Sequence, residues 1–247
     1  MAMQLKTVTQ YSKHLERFMT YQVFGNSGKP LIAFPTSEAH YGQWQEFGMV
    51  EELKPLIKDG VIQLFTVDAI DEETFFSKNA NRAKRLQKHE AYMSYITTEF
   101  IPLIASATKQ ELILTGCSMG AFHAANTFFR KPKHIEGVIA LSGVYATKHF
   151  LHGQEPLPED YHNSVLEYLK NTIDAERMKS YRNAKLVFCT GAGLGEEEML
   201  GDILALEELL KTLQIPAWID NWGQEVGHDW PWWKLQLLHF LPHFLED

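Results

Sequence analysis

The sequence predicts an α/β protein with a mostly parallel central sheet of about eight strands and helices on both faces. Short apolar runs that are typical of buried strands alternate with longer segments of helical periodicity. Hydrophobic residues make up 45% of the 247 residues, which is enough to bury a sizeable core. No Pro/Gly/Ser-rich linker and no shift in composition divides the chain. We therefore predict a single domain over residues 1–247.

The expected elements follow one another along the whole chain. Strands are predicted at residues 5–12, 16–24, 31–35, 61–67, 111–115, 135–142, 185–190 and 217–222. Helices are predicted at residues 49–57, 82–108, 121–129, 164–170, 174–181, 196–213 and 230–244. Pro102 should kink or divide the second helix because it has no N–H to donate. The aperiodic segments 36–44, 68–81 and 144–163 are predicted as loops, and the last is too short for a large cap domain.

Charge and composition exclude several classes of function. A net charge of −8 argues against a nucleic-acid-binding protein, which needs a basic face. The N-terminus lacks the apolar core of a signal peptide, and no stretch of about 18 apolar residues is available to span a membrane. We therefore expect a cytoplasmic protein with no membrane partner. The oligomeric state stays open, with a homo-oligomer among the alternatives.

The cysteines and histidines show no metal-binding spacing. Cys117 and Cys189 both stand at the ends of predicted strands, where they should be buried and reduced. The sequence contains no H-E-x-x-H motif and no paired cysteines. No metal site is therefore expected.

The pattern Gly116-x-Ser118-x-Gly120 stands between a predicted strand and a predicted helix. A serine at the tip of such a tight turn adopts a strained backbone conformation, and its hydroxyl projects clear of the sheet. Glycines flank it because a side chain there would collide with the helix or the neighbouring strand. The following helix directs its unpaired N–H groups towards the space above the hydroxyl. We predict that Ser118 is a nucleophile; a structural turn serine is the alternative.

A serine hydroxyl needs a base within hydrogen-bond reach, and that base needs an orienting acid. Among the 11 histidines, only His228 directly follows a predicted strand, in the loop before the last helix. We predict that His228 is the base; a capping or surface histidine is the alternative. Reactive groups gather beyond the carboxyl ends of parallel strands, so the loops carrying Ser118 and His228 should converge there.

The acid should lie in the loop after the strand at 185–190, which gives the chain order serine, acid, histidine. The candidates are Glu196, Glu197, Glu198 and Asp202. Carboxylates also favour the first turn of a helix because of its dipole, so at most one of the four is expected to orient the base. We favour Glu197, with Glu196 next.

An oxyanion hole needs two backbone N–H groups. Met119, the residue after the nucleophile, should supply one of them. The second should come from the loop after the strand at 31–35, from Ser37, or from Thr36 if the turn is tighter. Cys117 is a rival nucleophile by position, but it precedes the apex of the turn, so its side chain should face the core.

At these residues the chain resembles the α/β-hydrolase superfamily. More narrowly, it resembles the Putative esterase family, which includes esterase D-like, feruloyl-esterase-like and mycolyltransferase-like proteins. The resemblance is carried by Gly116-Cys117-Ser118-Met119-Gly120, Ser142-Gly143-Val144-Tyr145 and Gly227-His228-Asp229-Trp230-Pro231-Trp232-Trp233, and it extends from about Leu31 to Leu245. It implies an α/β-hydrolase fold and a Ser-acid-His esterase, or an acyl-transferring hydrolase, that uses no cofactor.

The sequence therefore predicts a carboxylic-ester hydrolase with a small-molecule ester as its substrate. Tyr145, Phe150 and Tyr161 of the irregular 144–163 segment are expected to shape the substrate pocket. Two alternatives stay open: acyl transfer to an acceptor other than water, and a non-catalytic binding or scaffold protein. In the second, the tryptophans of the 230–233 segment would mark an interface instead of packing under a helix.

Overall fold

Eight strands form one sheet in the computed structural model, which describes residues 3–78, 81–151, 153–172 and 174–245. The strands are β1 (Leu5–Ser12), β2 (Arg17–Phe24), β3 (Lys29–Phe34), β4 (Ile62–Val67), β5 (Leu112–Cys117), β6 (Ile135–Leu141), β7 (Lys185–Thr190) and β8 (Trp218–Asn221). Their order across the sheet is β1-β2-β4-β3-β5-β6-β7-β8. β2 runs antiparallel to both β1 and β4, and the remaining neighbours are parallel.

The connections between the strands are helical. The helices are α1 (Gln43–Glu46), α2 (Met49–Lys58), α3 (Arg82–Ser94), α4 (Ile101–Thr108), α5 (Met119–Arg130), α6 (Pro158–Tyr161), α7 (Val165–Tyr168), α8 (Ala175–Asn183), α9 (Glu197–Thr212), α10 (Trp230–Phe240) and α11 (Pro242–Leu245). Short 3₁₀ turns lie at Asp71–Glu73, Thr147–Phe150 and Leu169–Asn171, and a π-helical stretch covers Tyr95–Phe100.

Buried side chains alternate along the strands because successive residues point to opposite faces of the sheet. In β6, Val138 and Ala140 contribute to a core covered by α3, α4, α5, α7 and α9. Ile139 and Leu141 contribute to the opposite core, under α2, α10 and α11. Helices thus cover both faces, and the predicted architecture is confirmed. Within the described residues between β6 and β7, only short helices occur and no large cap is formed.

The long helix predicted at 82–108 is divided as expected. The π-helical stretch separates α3 from α4 just before Pro102. Pro102 has no N–H with which to reach the carbonyl one turn earlier, so regular α-helical bonding cannot continue through it. The hydroxyls of Thr97 and Thr98 each donate to a backbone carbonyl four residues earlier, at 2.7 Å. These bonds compensate for part of the disturbed pattern.

The three segments predicted as loops contain short helical turns. The first contains α1, the second contains the Asp71–Glu73 turn, and the third contains Thr147–Phe150 and α6. Turns of three or four residues are shorter than the window in which periodicity can be recognised, so the sequence gives no signal for them. Residues 79, 80 and 152 of these segments lie outside the described part of the chain.

The carboxyl ends of the parallel strands meet at one edge of the sheet, where reactive groups of such folds gather. Five polar side chains follow these strands. Ser37 comes after β3, Ser118 after β5, Ser142 after β6, Glu196 after β7 and His228 after β8. The predicted convergence of sequence-distant loops therefore happens at this edge.

Candidate active site

Ser118 forms the tip of the turn between β5 and α5, with φ 56° and ψ −122°. Such a positive φ is uncommon for a residue other than glycine and marks local strain. The Ser118 N–H donates to the Leu141 carbonyl at 2.9 Å, which anchors the turn on β6. A Cβ on Gly116 would lie 2.2 Å from the carbonyl carbon of Gly120, and a Cβ on Gly120 would lie 2.5 Å from the carbonyl oxygen of Phe34. Both glycines are therefore required by close packing.

His228 contacts the serine hydroxyl directly. Its Nε2 lies 2.9 Å from Oγ of Ser118, although the two residues are 110 positions apart in sequence. The imidazole is partly exposed and stands perpendicular to the Trp233 indole, with ring centroids 4.9 Å apart. The distance lies within the reach that a general base requires. The structure thus brings together the two side chains that the sequence pairs.

Glu196 lies on the other side of the imidazole. Its Oε1 is 3.2 Å from Nδ1 of His228, and its carboxylate is fully buried. The preference for Glu197 is corrected here: Glu197 is exposed as the first residue of α9, whereas Glu196 sits one residue before the helix, facing the histidine. The sequence placed both in one acidic run, and the choice between them depends on where α9 begins.

The glycine-rich loop after β7 explains how Glu196 reaches His228. The N–H groups of Ala192 and Gly193 donate to the carbonyls of Gly223 and Val226, and the N–H of His228 donates to the carbonyl of Leu194. The loops after β7 and β8 therefore pair along their backbones. A Cβ on Gly191 would lie 1.9 Å from the Val226 carbonyl oxygen, so only glycine permits this approach.

The other two candidate acids face different partners. Glu198 is mostly exposed and lies 3.2 Å from Nδ1 of His149. Asp202 is buried, and its Oδ2 accepts the N–H groups of Tyr145 and Ala146 at 2.7 and 3.0 Å. Burial raises the pKa of Asp202, but its contacts with His149, these N–H groups and Lys148 together hold the pKa below its ordinary value. Asp202 therefore anchors the segment after β6 as a carboxylate.

Two backbone N–H groups are candidates for the oxyanion hole. Met119 is the first residue of α5, where an N–H has no partner within the helix. The Thr36 N–H donates to Oε1 of Gln43 at 2.8 Å, which removes Thr36 as the second donor. Within residues 3–78, 81–151, 153–172 and 174–245, no acceptor is found for the N–H of Ser37. Its role as the second donor stays a prediction.

Aromatic rings occupy the space beside Met119. Phe75, Phe122 and Phe150 pack with it in one buried cluster, and the rings of Phe75 and Phe150 lie 4.6 Å apart. Of the residues expected to shape the pocket, only Phe150 belongs to this cluster. Tyr145 is fully buried in the main core, where it cannot contact a substrate.

The rival features of the sequence have structural explanations. The Cys117 side chain is fully buried, and burial raises the pKa of its thiol well above the ordinary value, so it does not supply a reactive thiolate. Trp230 and Trp233 are buried under the sheet, which accounts for these two tryptophans by helix packing. In the described ranges no cluster of three His, Cys, Asp or Glu side chains suits a metal ion, and no helix is long and apolar enough to cross a membrane.

The fold and this site define the class: the protein has an α/β-hydrolase fold with a serine, a histidine and a carboxylate at the carboxyl edge of its sheet. A family model described as "Putative esterase" matches residues 12–244. The chain belongs to this esterase family. A sequence comparison with curated proteins gives no significant match.

Several solved structures are similar to this chain in fold. A ferulic acid esterase superposes with a TM-score of 0.74 at 20% identity, over 98% of this chain and 97% of that one. An S-formylglutathione hydrolase from Staphylococcus aureus gives 0.69 at 12% identity, over 100% of both chains. MPT51 from Mycobacterium tuberculosis gives 0.74 at 10% identity, over 99% and 98% of the two chains. These likenesses show the fold.

Proposed function

We propose that this protein is a serine esterase that hydrolyses small carboxylic esters through Ser118, His228 and Glu196. The observation that carries the proposal is the continuous hydrogen-bonded series from Oγ of Ser118 to His228, at 2.9 Å, and from His228 to Glu196, at 3.2 Å. A nucleophile, a base and an orienting carboxylate in this order define the triad arrangement. Membership of the esterase family supports the same reaction.

The reaction follows from the positions of these groups. Ser118 Oγ attacks the acyl carbon while His228 Nε2 takes the hydroxyl proton, and the carbonyl oxygen becomes an oxyanion. The oxyanion accepts hydrogen bonds from the N–H groups of Met119 and Ser37. Collapse breaks the ester bond, and the histidine gives its proton to the leaving alcohol oxygen. Water then attacks the acyl-enzyme with His228 as base, which releases the acid and restores the serine.

The phenylalanine cluster beside Met119 favours short acyl groups. Its rings pack in one buried cluster with Met119, whose N–H is a proposed oxyanion donor, and the ring centroids of Phe122 and Phe150 lie 5.5 Å apart. A long acyl chain would have to displace these buried rings or lie along the surface. We therefore expect acetyl and butyryl esters to react with a higher kcat/KM than long-chain esters.

Acyl transfer to an alcohol would use the same acyl-enzyme, with the alcohol in place of water. A scaffold role without catalysis is disfavoured because such a role gives no reason to keep a strained serine in contact with a histidine. A cytoplasmic location stays a prediction. The oligomeric state stays open, with a homo-oligomer among the alternatives.

The test is the hydrolysis of a series of p-nitrophenyl esters, from acetate to dodecanoate, by the wild type, Ser118→Ala and Ser106→Ala. Ser106 is exposed on α4 and serves as the matched control. We expect Ser118→Ala to reduce kcat by a factor of about 10⁴ or more, and Ser106→Ala to retain activity. A fluorophosphonate probe should label the wild type and Ser106→Ala but not Ser118→Ala.

Three outcomes are informative. A folded wild type that neither hydrolyses the esters nor reacts with the probe would contradict the proposal. Full activity in Ser118→Ala would contradict the role of the serine. Added alcohols that appear as new esters among the products would point to acyl transfer.

A further inference from the structure

Ser142 has a buried hydroxyl that the proposed reaction does not use. It follows β6 directly, is 1% exposed, and has φ 52°, in the left-handed region that strains any residue other than glycine. Its N–H donates to the Cys189 carbonyl at 2.7 Å, a backbone contact that glycine would make equally well. The backbone thus gives no reason to prefer serine over glycine, so its side chain requires an explanation.

The hydroxyl of Ser142 has a defined direction. The indole Nε1 of Trp233 lies 2.9 Å from Oγ of Ser142, and an indole N–H can only donate. The serine oxygen therefore accepts this bond, and its single proton is left for Oε1 of Glu196, 2.6 Å away. An ionised carboxylate can only accept hydrogen bonds. The direction of both bonds is therefore set: the indole donates to the serine, and the serine donates to the glutamate.

The other carboxylate oxygen of Glu196 accepts a hydrogen bond from a second hydroxyl. The hydroxyl of Thr190 donates to Oε2 at 2.6 Å, while Oε1 faces both Ser142 and His228. A fully buried carboxylate needs hydrogen-bond donors on both oxygens, since a buried polar group without a partner costs free energy. The donor set of Ser142, Thr190 and His228 meets this requirement.

Trp233 contacts both Ser142 and His228. Its indole N–H donates to Ser142, and the same ring system stands perpendicular to the His228 imidazole, with an interplanar angle of 90° and ring centroids 4.9 Å apart. One buried side chain of α10 thus constrains both the hydroxyl that serves the acid and the ring that serves as the base.

We propose that Ser142 is a positioning residue: its hydroxyl, directed by the Trp233 indole, holds Oε1 of Glu196 on Nδ1 of His228. This inference rests on the proposed esterase function of Ser118, His228 and Glu196. The strained backbone at Ser142 is tolerated because only a residue with a side chain can place a donor at this point.

The decisive variant is Ser142→Gly, which removes the hydroxyl and relieves the positive φ. We expect kcat to fall about ten- to a hundredfold with KM little changed, the loss typical of one hydrogen bond to a charged group. Tm should change little, because relief of the positive φ opposes the loss of the two buried hydrogen bonds of the hydroxyl. Loss of packing alone would lower Tm and leave kcat unchanged.

Two further variants separate positioning from packing. Ser12→Ala is the matched control, because Ser12 is also buried and accepts the Leu15 N–H at 3.1 Å, far from the site in sequence. It should lower Tm without lowering kcat. Trp233→Phe removes the indole N–H that directs Ser142 and also changes the ring beside His228, so it should lower kcat as well. Because both variants remove the same hydrogen bond, the loss in the double variant with Ser142→Gly should be smaller than the product of the two single losses.

A readout without turnover keeps this inference separate from the esterase proposal. The hydrogen-bonded Nδ1–H proton of His228 should give a downfield NMR resonance that disappears in His228→Ala, and it should be lost or broadened in Ser142→Gly. If the wild type is an active esterase but Ser142→Gly keeps its kcat and its resonance, the positioning role is overturned and the esterase proposal stands. If the wild type is inactive, an unchanged resonance in Ser142→Gly still overturns the positioning role.

Discussion

The imidazole of His228 has one tautomer that fits its surroundings. Nδ1 faces the buried carboxylate of Glu196, which can only accept a hydrogen bond when ionised, so Nδ1 carries the ring proton. Nε2 is then free to accept the hydroxyl proton of Ser118. The carboxylate thus selects the form of the histidine that can act as a base, before any substrate arrives.

Neighbouring glutamates provide a sharp test of this selection. Glu196→Gln replaces a pure acceptor by an amide that can present its NH₂ group to Nδ1, which favours the wrong tautomer. We expect kcat to fall by a factor of about 10³ to 10⁴, with KM changing little. Glu197→Gln, one residue away and exposed, should keep wild-type kcat. Ester hydrolysis by purified variants measures both; a loss in Glu197→Gln with activity retained in Glu196→Gln would reverse the assignment.

The sequence identifies residues whose neighbours along the chain carry the signal. Ser118 has its two glycines, and His228 directly follows a strand and precedes the last helix. Glu196 differs from Glu197 only by its place relative to the start of α9, which a local pattern gives to within one or two residues. The sequence indicates Ser142 only through the family resemblance, because its partners Trp233 and Glu196 are 91 and 54 positions away.

At the scale of elements, the turn between β5 and α5 depends on close backbone contact. The first turn of α5 lies against the end of β3, where Gly120 meets the carbonyl oxygens of Phe34 and Pro35. This contact keeps the N-terminus of α5, with its unpaired N–H groups, next to the loop that carries Ser37. The glycines of the motif therefore set the distance between the two proposed halves of the oxyanion hole.

Replacement by alanine is expected to change the free energy of unfolding in opposite directions at two helical glycines. A Cβ at Gly120 would lie 2.5 and 2.7 Å from two backbone oxygens, so Gly120→Ala must push α5 away from β3. We expect a loss of about 1–3 kcal/mol in the free energy of unfolding, together with reduced kcat. Gly201, in α9, has nothing within 4 Å of its Cβ position, so Gly201→Ala should stabilise by about 0.5–1 kcal/mol.

Urea denaturation and ester hydrolysis measure this pair of variants together. If Gly120→Ala were as stable and active as the wild type, the close approach of α5 to β3 would not matter for the site. Destabilisation by Gly201→Ala would show that the open space around Gly201 is occupied in solution.

At the scale of the whole molecule, the sheet explains why the sequence alone predicts that distant segments converge. Alternating apolar strands and helices predict a parallel sheet, and a parallel sheet predicts one edge for all the carboxyl ends. The residues 68–81 could not be interpreted in this way, because they show no period. In the structure, Asp71 of this segment is buried and lies 3.0 Å from Nε2 of His123, a pairing set by tertiary packing alone.

A buried histidine next to this pair, His89, should make the free energy of unfolding depend on pH in mild acid. His89 is fully buried, and burial, together with electrostatic interactions with His123 and Arg130, holds its pKa well below the ordinary value of 6.5. Below about pH 6.5 the unfolded chain therefore takes up a proton that the folded chain refuses. This histidine therefore leaves the free energy of unfolding unchanged above that pH and lowers it progressively as the pH falls towards the depressed pKa of the folded state.

Replacing His89 by an uncharged side chain should remove this dependence. Between about pH 7.5 and about pH 5, urea denaturation should show the wild type losing free energy of unfolding more steeply than His89→Gln, by up to about 1.4 kcal/mol per pH unit. The absolute stability of His89→Gln is expected to be lower at neutral pH because the packing against Phe75 changes, so the slope is the quantity that tests the argument. His14→Gln, at a largely exposed histidine, should keep the wild-type slope. Equal slopes for the wild type and His89→Gln would mean that His89 takes up its proton in the folded protein as readily as in the unfolded chain.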